Sequence, residues 1–170
     1  MSTEVWQRGP IPGIDPYLMP VAHAFLQVKE DVEALAARLT PERLWQTPGG
    51  AASIGYHLQH IGGATERLLT YARGEALSPD QLAAARRETT ETPDLQTLVA
   101  GVVERLDRAL EQVRGTAREA LLEARKVGRA GLPSNTLGLL FHAAEHATRH
   151  AGQAFTTLRI LEGTDGGMVG

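Results

Sequence analysis

The chain has 170 residues, 42% of them apolar and 22% charged, with a net charge of -3 and no cysteine. That length fits one domain able to bury roughly 70% of the surface its unfolded chain would expose. The weak negative charge and the absence of a Lys/Arg run exclude the usual footing for nucleic acid, the lack of cysteine excludes disulfides and thiolate ligands or nucleophiles, and no apolar stretch is long enough to span a membrane.

The opening residues, Met1 to Trp6, have no basic region followed by an apolar run, so they do not read as a secretory signal, and a soluble cytoplasmic protein is expected. Residues 1–14 contain Gly9-Pro10-Ile11-Pro12-Gly13 and read as an extended N-terminal lead-in. Asp15-Pro16 then has the form of a helix start, aspartate as N-cap and proline at the first position. Leu18, Val21, Ala22, Phe25, Val28, Val32, Leu35 and Leu39 recur at helical spacing, which predicts a first long helix to about Leu39, with Pro20 bending its start.

Thr40-Pro41-Glu42-Arg43 begins a short helical turn carrying Leu44 and Trp45, and Pro48-Gly49-Gly50 breaks the chain. Ser53 caps a second helix that runs through Leu68 and Leu69 to Gly74. Residues 75–93 form a connector with a short helical piece near Pro79 to Arg87. Leu95, Leu98, Val99, Val102, Leu106, Leu110 and Val113 define a third long helix, ended or interrupted at Gly115. The charged segment 116–127 reads as a further short helix or a continuation, and Gly128 to Pro133 as a loop. Ser134 or Asn135 caps a fourth long helix carrying Leu137, Leu140, Phe141, Ala144, Ala147, Ala151, Phe155, Leu158 and Leu161. A flexible glycine-rich tail is expected over 163–170.

Four long amphipathic helices and no alternating strand predict an all-α four-helix bundle over 15–162, with its longest connection between helices two and three. Helical bundles with an exposed apolar stripe often pair, so a homodimer is among the expected states.

Five of the six histidines fall on two of these helices: His57 and His60 on the second, His142, His146 and His150 on the fourth. Residues four apart are offset by only about 40° around a helix axis, so neighbours in the second set can reach one ion; His142 and His150, about 12 Å apart along the axis, are less able to share one. Imidazole is neutral near pH 7 and ligates zinc, nickel, iron and copper. A third histidine from a facing helix would complete a three-nitrogen site with positions open to water or substrate, the arrangement of a catalytic rather than a structural centre.

Gly62-Gly63 stands inside the second helix although each glycine costs roughly 1 kcal/mol there relative to alanine. It therefore marks a need for space or for close helix contact. Ala143, Ala144, Ala147, Ala151 and Ala154 thin out the fourth helix around its histidines in the same way. The remaining polar and aromatic residues read more simply. His23 is expected to be a hydrogen-bonded structural residue, Glu104, Arg105, Asp107, Arg108 and Glu111 a solvated face, and Trp45 and Tyr56 packing residues. There is no glycine-rich phosphate loop, no His-Glu-x-x-His motif and no glycine-flanked nucleophile elbow.

Ser53-Ile54 leading into Leu58-Gln59-His60-Ile61, His146-x-x-x-His150-Ala151-Gly152-Gln153 near the C-terminus, and Leu39-Thr40-Pro41-Glu42 with a tryptophan before helix two resemble the DinB-like superfamily of four-helix metalloenzymes over roughly 15–162. The resemblance implies a divalent metal, zinc or nickel, on His60, His146 and His150. His57, His142 and His146 form an alternative set; the first is preferred because His150 stands before Ala-Gly-Gln and His60 precedes isoleucine. Some members of that superfamily are similar to bacillithiol- or mycothiol-dependent transferases. The implied function is therefore thiol transfer or hydrolysis on a small-molecule substrate, with any thiol supplied by a low-molecular-weight cofactor. The competing expectations are a non-catalytic metal-binding stress-response bundle and a metal-free helical interaction protein.

Overall fold

The computed structural model describes residues 3–166. It is mainly α-helical: α1 (Met19–Ala36), α2 (Ile54–Ala72), α3 (Pro79–Arg87), α4 (Leu95–Gly115) and α5 (Thr136–Gly166), with one two-stranded hairpin, β1 (Ala124–Val127) and β2 (Leu132–Asn135). The four long helices α1, α2, α4 and α5 form the bundle. Both α1 and α2 pack against α4 and α5, which places α1 across the core from α2. Phe25, Leu35, Leu58, Ile61, Leu106, Leu140 and Leu158 fill the centre.

Three of the four long helices, α2, α4 and α5, begin where the sequence supplies a side-chain acceptor for an orphan backbone N–H. Ser53 accepts from Tyr56 N, Asp94 Oδ1 from Thr97 N, and Asn135 Oδ1 from Gly138 N. The short α3 carries a full capping box between Ser78 and Gln81. The start of α1 differs from expectation. Asp15 Oδ1 accepts from Tyr17 N at 2.9 Å and Asp15 O from Leu18 N at 2.8 Å, which makes a separate turn. The helix proper begins at Met19, and the proline in its first turn is Pro20.

The lead-in is not extended throughout. Val5–Arg8 forms a turn of 3-10 helix against α1, where Val5 N donates to Gln27 Oε1 at 3.0 Å and Arg8 grips Glu30 through both guanidinium nitrogens at 2.6 and 2.7 Å. The segment expected as short helix and loop, 116–133, holds a 3-10 turn at Arg118–Ala120 and then the β1–β2 hairpin. Each strand is only four residues long, with Arg125 and Lys126 on one and Pro133 on the other, so neither carries an apolar alternation to read. The hairpin closes α2 instead of continuing α4: Arg125 Nε donates to Ala72 O at 2.8 Å, satisfying a carbonyl in the last turn of α2. At the other end, α5 runs to Gly166; residues 167–170, the last of the expected glycine-rich tail, lie outside the described residues, as do residues 1 and 2. Among the described residues no helix is long and apolar enough to cross a membrane.

Candidate metal centre

The candidate centre lies on the seam between α2 and α5. Ala143, Ala144, Ala147, Ala151 and Ala154 form much of the buried stripe of α5 and let the two helices close on each other. His146 and His150 stand one turn apart beside that stripe, half-buried, while His142 rotates outward and has a side chain 50% exposed. From α2, His57 and His60 face the same seam.

His60, His146 and His150 come together. One ring nitrogen of each lies within 4.8 Å of those of the other two, and their ring centroids are 5.1, 4.7 and 4.6 Å apart pairwise. His57 is 5% exposed and lies behind this group; its Nδ1 is 2.9 Å from His150 Nδ1. One of those two nitrogens must donate and the other accept. His142 instead faces Glu145, with 3.5 Å between Nδ1 and Oε2, and Glu145 is held by Arg149. The alternative set of His57, His142 and His146 is therefore not brought together.

Glu88, which no sequence motif marked, completes the surroundings. It stands just past α3, in the connector, with a side chain 10% exposed. Its Oε2 accepts from His60 Nδ1 at 2.9 Å, and the same carboxylate is gripped by Arg67. The one sequence signal for it is Gly63. A Cβ at Gly63 would collide with the Glu88 carboxylate and stand 2.9 Å from Arg67 Nη1, so the glycine leaves the seat in which Glu88 lies. Gly62 has a different reason: a Cβ there would stand 3.0 Å from Arg105 Cδ and 3.7 Å from the Val102 backbone, at the contact with α4. Beside the filled seat a cavity of about 220 Å³ opens between α2, α3 and α4, with Gln59, Gly62, Glu88 and Arg105 among its walls.

The electrostatics favour imidazoles ready to ligate. Burial, reinforced by the neighbouring His146 and His60, pushes His150 down to about 4; burial and then His60 lower His146 and His57 as well. These three rings are neutral at pH 7. Burial pushes the Glu88 carboxyl up, but hydrogen bonds from His60 and Arg67 outweigh it and hold Glu88 below the usual carboxylate range, hence ionised. Three imidazoles within one ion's reach, two of them kept neutral by burial and two with Nδ1 already engaged, fit a borderline-soft divalent metal.

The residues expected to be structural are packed accordingly. Tyr56 stacks on His60 with centroids 5.5 Å apart and planes 10° from parallel. Trp45 lies across Gly55, where a Cβ would come within 2.7 Å of the indole, and its Nε1 donates to Pro93 O at 3.2 Å. His23 Nε2 is 2.9 Å from Gly9 O.

The family model that matches this chain is that of the DinB superfamily, over residues 24–154. Solved structures agree on the fold. A DinB-like protein from Bacillus cereus is 19% identical with a TM-score of 0.63, covering 81% of this chain and 91% of that one. A protein from Exiguobacterium sibiricum assigned to the DinB family is 15% identical with a TM-score of 0.68, covering 88% and 94%. A DinB-like protein from Bacillus subtilis is 18% identical with a TM-score of 0.62, covering 84% and 92%. No curated protein matches this chain in sequence.

Proposed function

The chain belongs to the DinB superfamily, and on that premise we propose that it is a divalent-metal-dependent enzyme with His60, His146 and His150 as the metal ligands. The observation that carries this reading is the convergence of three partly accessible imidazoles from two helices, two of them kept neutral by burial. A zinc or nickel ion held there would acidify a thiol or a water and so supply a nucleophile at neutral pH.

The chain's own residues set the conditions for that chemistry. Three protein nitrogens leave room for an exogenous group. His57 holds the Nδ1 edge of His150 from the buried side, and Tyr56 covers a face of His60. With no cysteine in the sequence, a reacting thiol has to come from a small molecule, so the reaction classes are thiol transfer to a small electrophile and hydrolysis.

A second reading, a non-catalytic metal-binding bundle acting in stress responses, draws on one observation: the seat over Gly63 is filled by Glu88 and Arg67 rather than left open. Elemental analysis of protein purified without chelator tests the metal, with one zinc or nickel per chain expected and none in His146→Ala. Wild-type protein that is metal-free and fails to take up either ion would remove the proposal. Metal-dependent turnover of small electrophiles with an added low-molecular-weight thiol separates the enzyme from the binding bundle.

A further inference from the structure

We propose that Glu88 is the positioning residue of the metal centre: seated in the space left by Gly63, its carboxylate accepts the hydrogen bond of the His60 Nδ1–H and leaves Nε2 as that ring's nitrogen for an ion. This role rests on the metal-site reading above. His60 Nδ1 and Glu88 Oε2 are 2.9 Å apart, a made hydrogen bond. Arg67 binds both oxygens of the same carboxylate, one of them at 3.3 Å, which fixes its plane and not merely its charge. Tyr56, stacked on the His60 ring, limits rotation about the remaining axis.

Gly63 makes the arrangement directional. A side chain at this position of α2 would enter the space in which Glu88 lies, and the carboxylate would have to shift from its place beside His60. A glycine that weakens its own helix is the residue that lets a carboxylate from a separate segment reach the ring. A carboxylate on the far nitrogen of a ligating histidine sets its tautomer, its orientation and its basicity. The bland reading of the same contacts is mechanical: the Glu88–Arg67 pair straps the connector to α2, and the bond to His60 is incidental.

Two measurements separate these readings. Long-range proton–nitrogen NMR of the metal-free protein reads the tautomer of His60 without reference to any metal. The proton is expected on Nδ1 in the wild type, and on Nε2 for much of the population in Glu88→Ala. Calorimetric titration with zinc should then show affinity falling roughly 10- to 100-fold in Glu88→Ala. A similar fall is expected in Gly63→Ala, which keeps Glu88 and all three candidate ligands in the sequence and acts only by crowding the carboxylate. Glu88→Gln, which keeps an acceptor for the Nδ1 proton, should hold the tautomer and lose less affinity. Arg67→Ala removes the strap and leaves the carboxylate on His60, so it should keep the tautomer and most of the affinity. The proposal is overturned if wild-type His60 carries its proton on Nε2, if Glu88→Ala binds zinc like the wild type, or if Arg67→Ala loses as much affinity as Glu88→Ala with the tautomer unchanged. Wild-type protein that binds neither zinc nor nickel, with His60 still protonated on Nδ1, would remove the metal-site reading while leaving the Glu88–His60 geometry standing.

Discussion

At the scale of single residues, two touching histidines do different work. His150 is a candidate ligand and His57 its buried partner, although both sit on the same seam. A metal-bound His150 that ligates through Nε2 carries its proton on Nδ1, so His57 must then accept that bond. His57→Phe, which removes the acceptor at similar ring size, should weaken zinc binding roughly 10- to 100-fold in a calorimetric titration. The metal-free protein should also lose stability in acid. His150 stands at about 4 in the folded state against an ordinary 6.5, so between those values the unfolded chain binds more protons than the folded one. Stability is then complete above pH 6.5 and falls as pH drops toward 4, with His146 and His57 adding in the same direction. Urea melts at pH 7 and pH 4.5 check this; equal midpoints would contradict it. The spacing of the histidines left two ligand sets open, because helical periodicity places His57 and His60 on overlapping faces. The choice depends on how α2 is rotated against α5, which only packing decides.

At the scale of elements, glycine carries opposite consequences in two helices. Gly55 in α2 lies under the Trp45 indole, and Gly152 in α5 has open space beside it. Gly55→Ala should therefore destabilise the fold by about 1–3 kcal/mol through overpacking. Gly152→Ala should stabilise it by up to about 1 kcal/mol through helix propensity. Denaturant titrations of both variants test the sign as well as the size. The helices themselves were legible in the sequence because apolar residues such as Val21, Phe25, Val28, Val32 and Leu35 repeat with the helical period and end in the core. The hairpin was not, because four-residue strands bearing Arg125 and Lys126 have no apolar face of their own; their ordering comes from contacts such as that of Arg125 with Ala72 O. Glu88 was hidden for a related reason: it lies 28 residues from His60, at the end of a short helix with no buried residue.

At the scale of the whole molecule, the candidate centre joins segments far apart in the chain: His57 and His150, whose rings touch, are separated by 93 residues. An ion bound there would favour the folded state over the unfolded by mass action, about 2.7 kcal/mol when free metal is 100-fold above its dissociation constant. Adding zinc to the chelator-treated wild type should raise its melting temperature, and the same addition to His146→Ala should leave it unchanged. A rise of equal size in both would place the ion elsewhere.

Trp45 gives this protein an optical gauge. Its indole rests on the first turn of α2 at Gly55 and is tethered to the Pro93 carbonyl, so it touches both the helix that carries His60 and the end of the connector that carries Glu88. Gly55 and His60 are separated by about 7.5 Å along the helix axis. The second tryptophan, Trp6, is 62% exposed and emits as a wet indole whatever happens at the seam. The blue edge of the intrinsic fluorescence therefore belongs to Trp45. If nickel or copper binds at His60, His146 and His150, quenching of that blue edge would report, without a label, when the seam between α2 and α5 is filled.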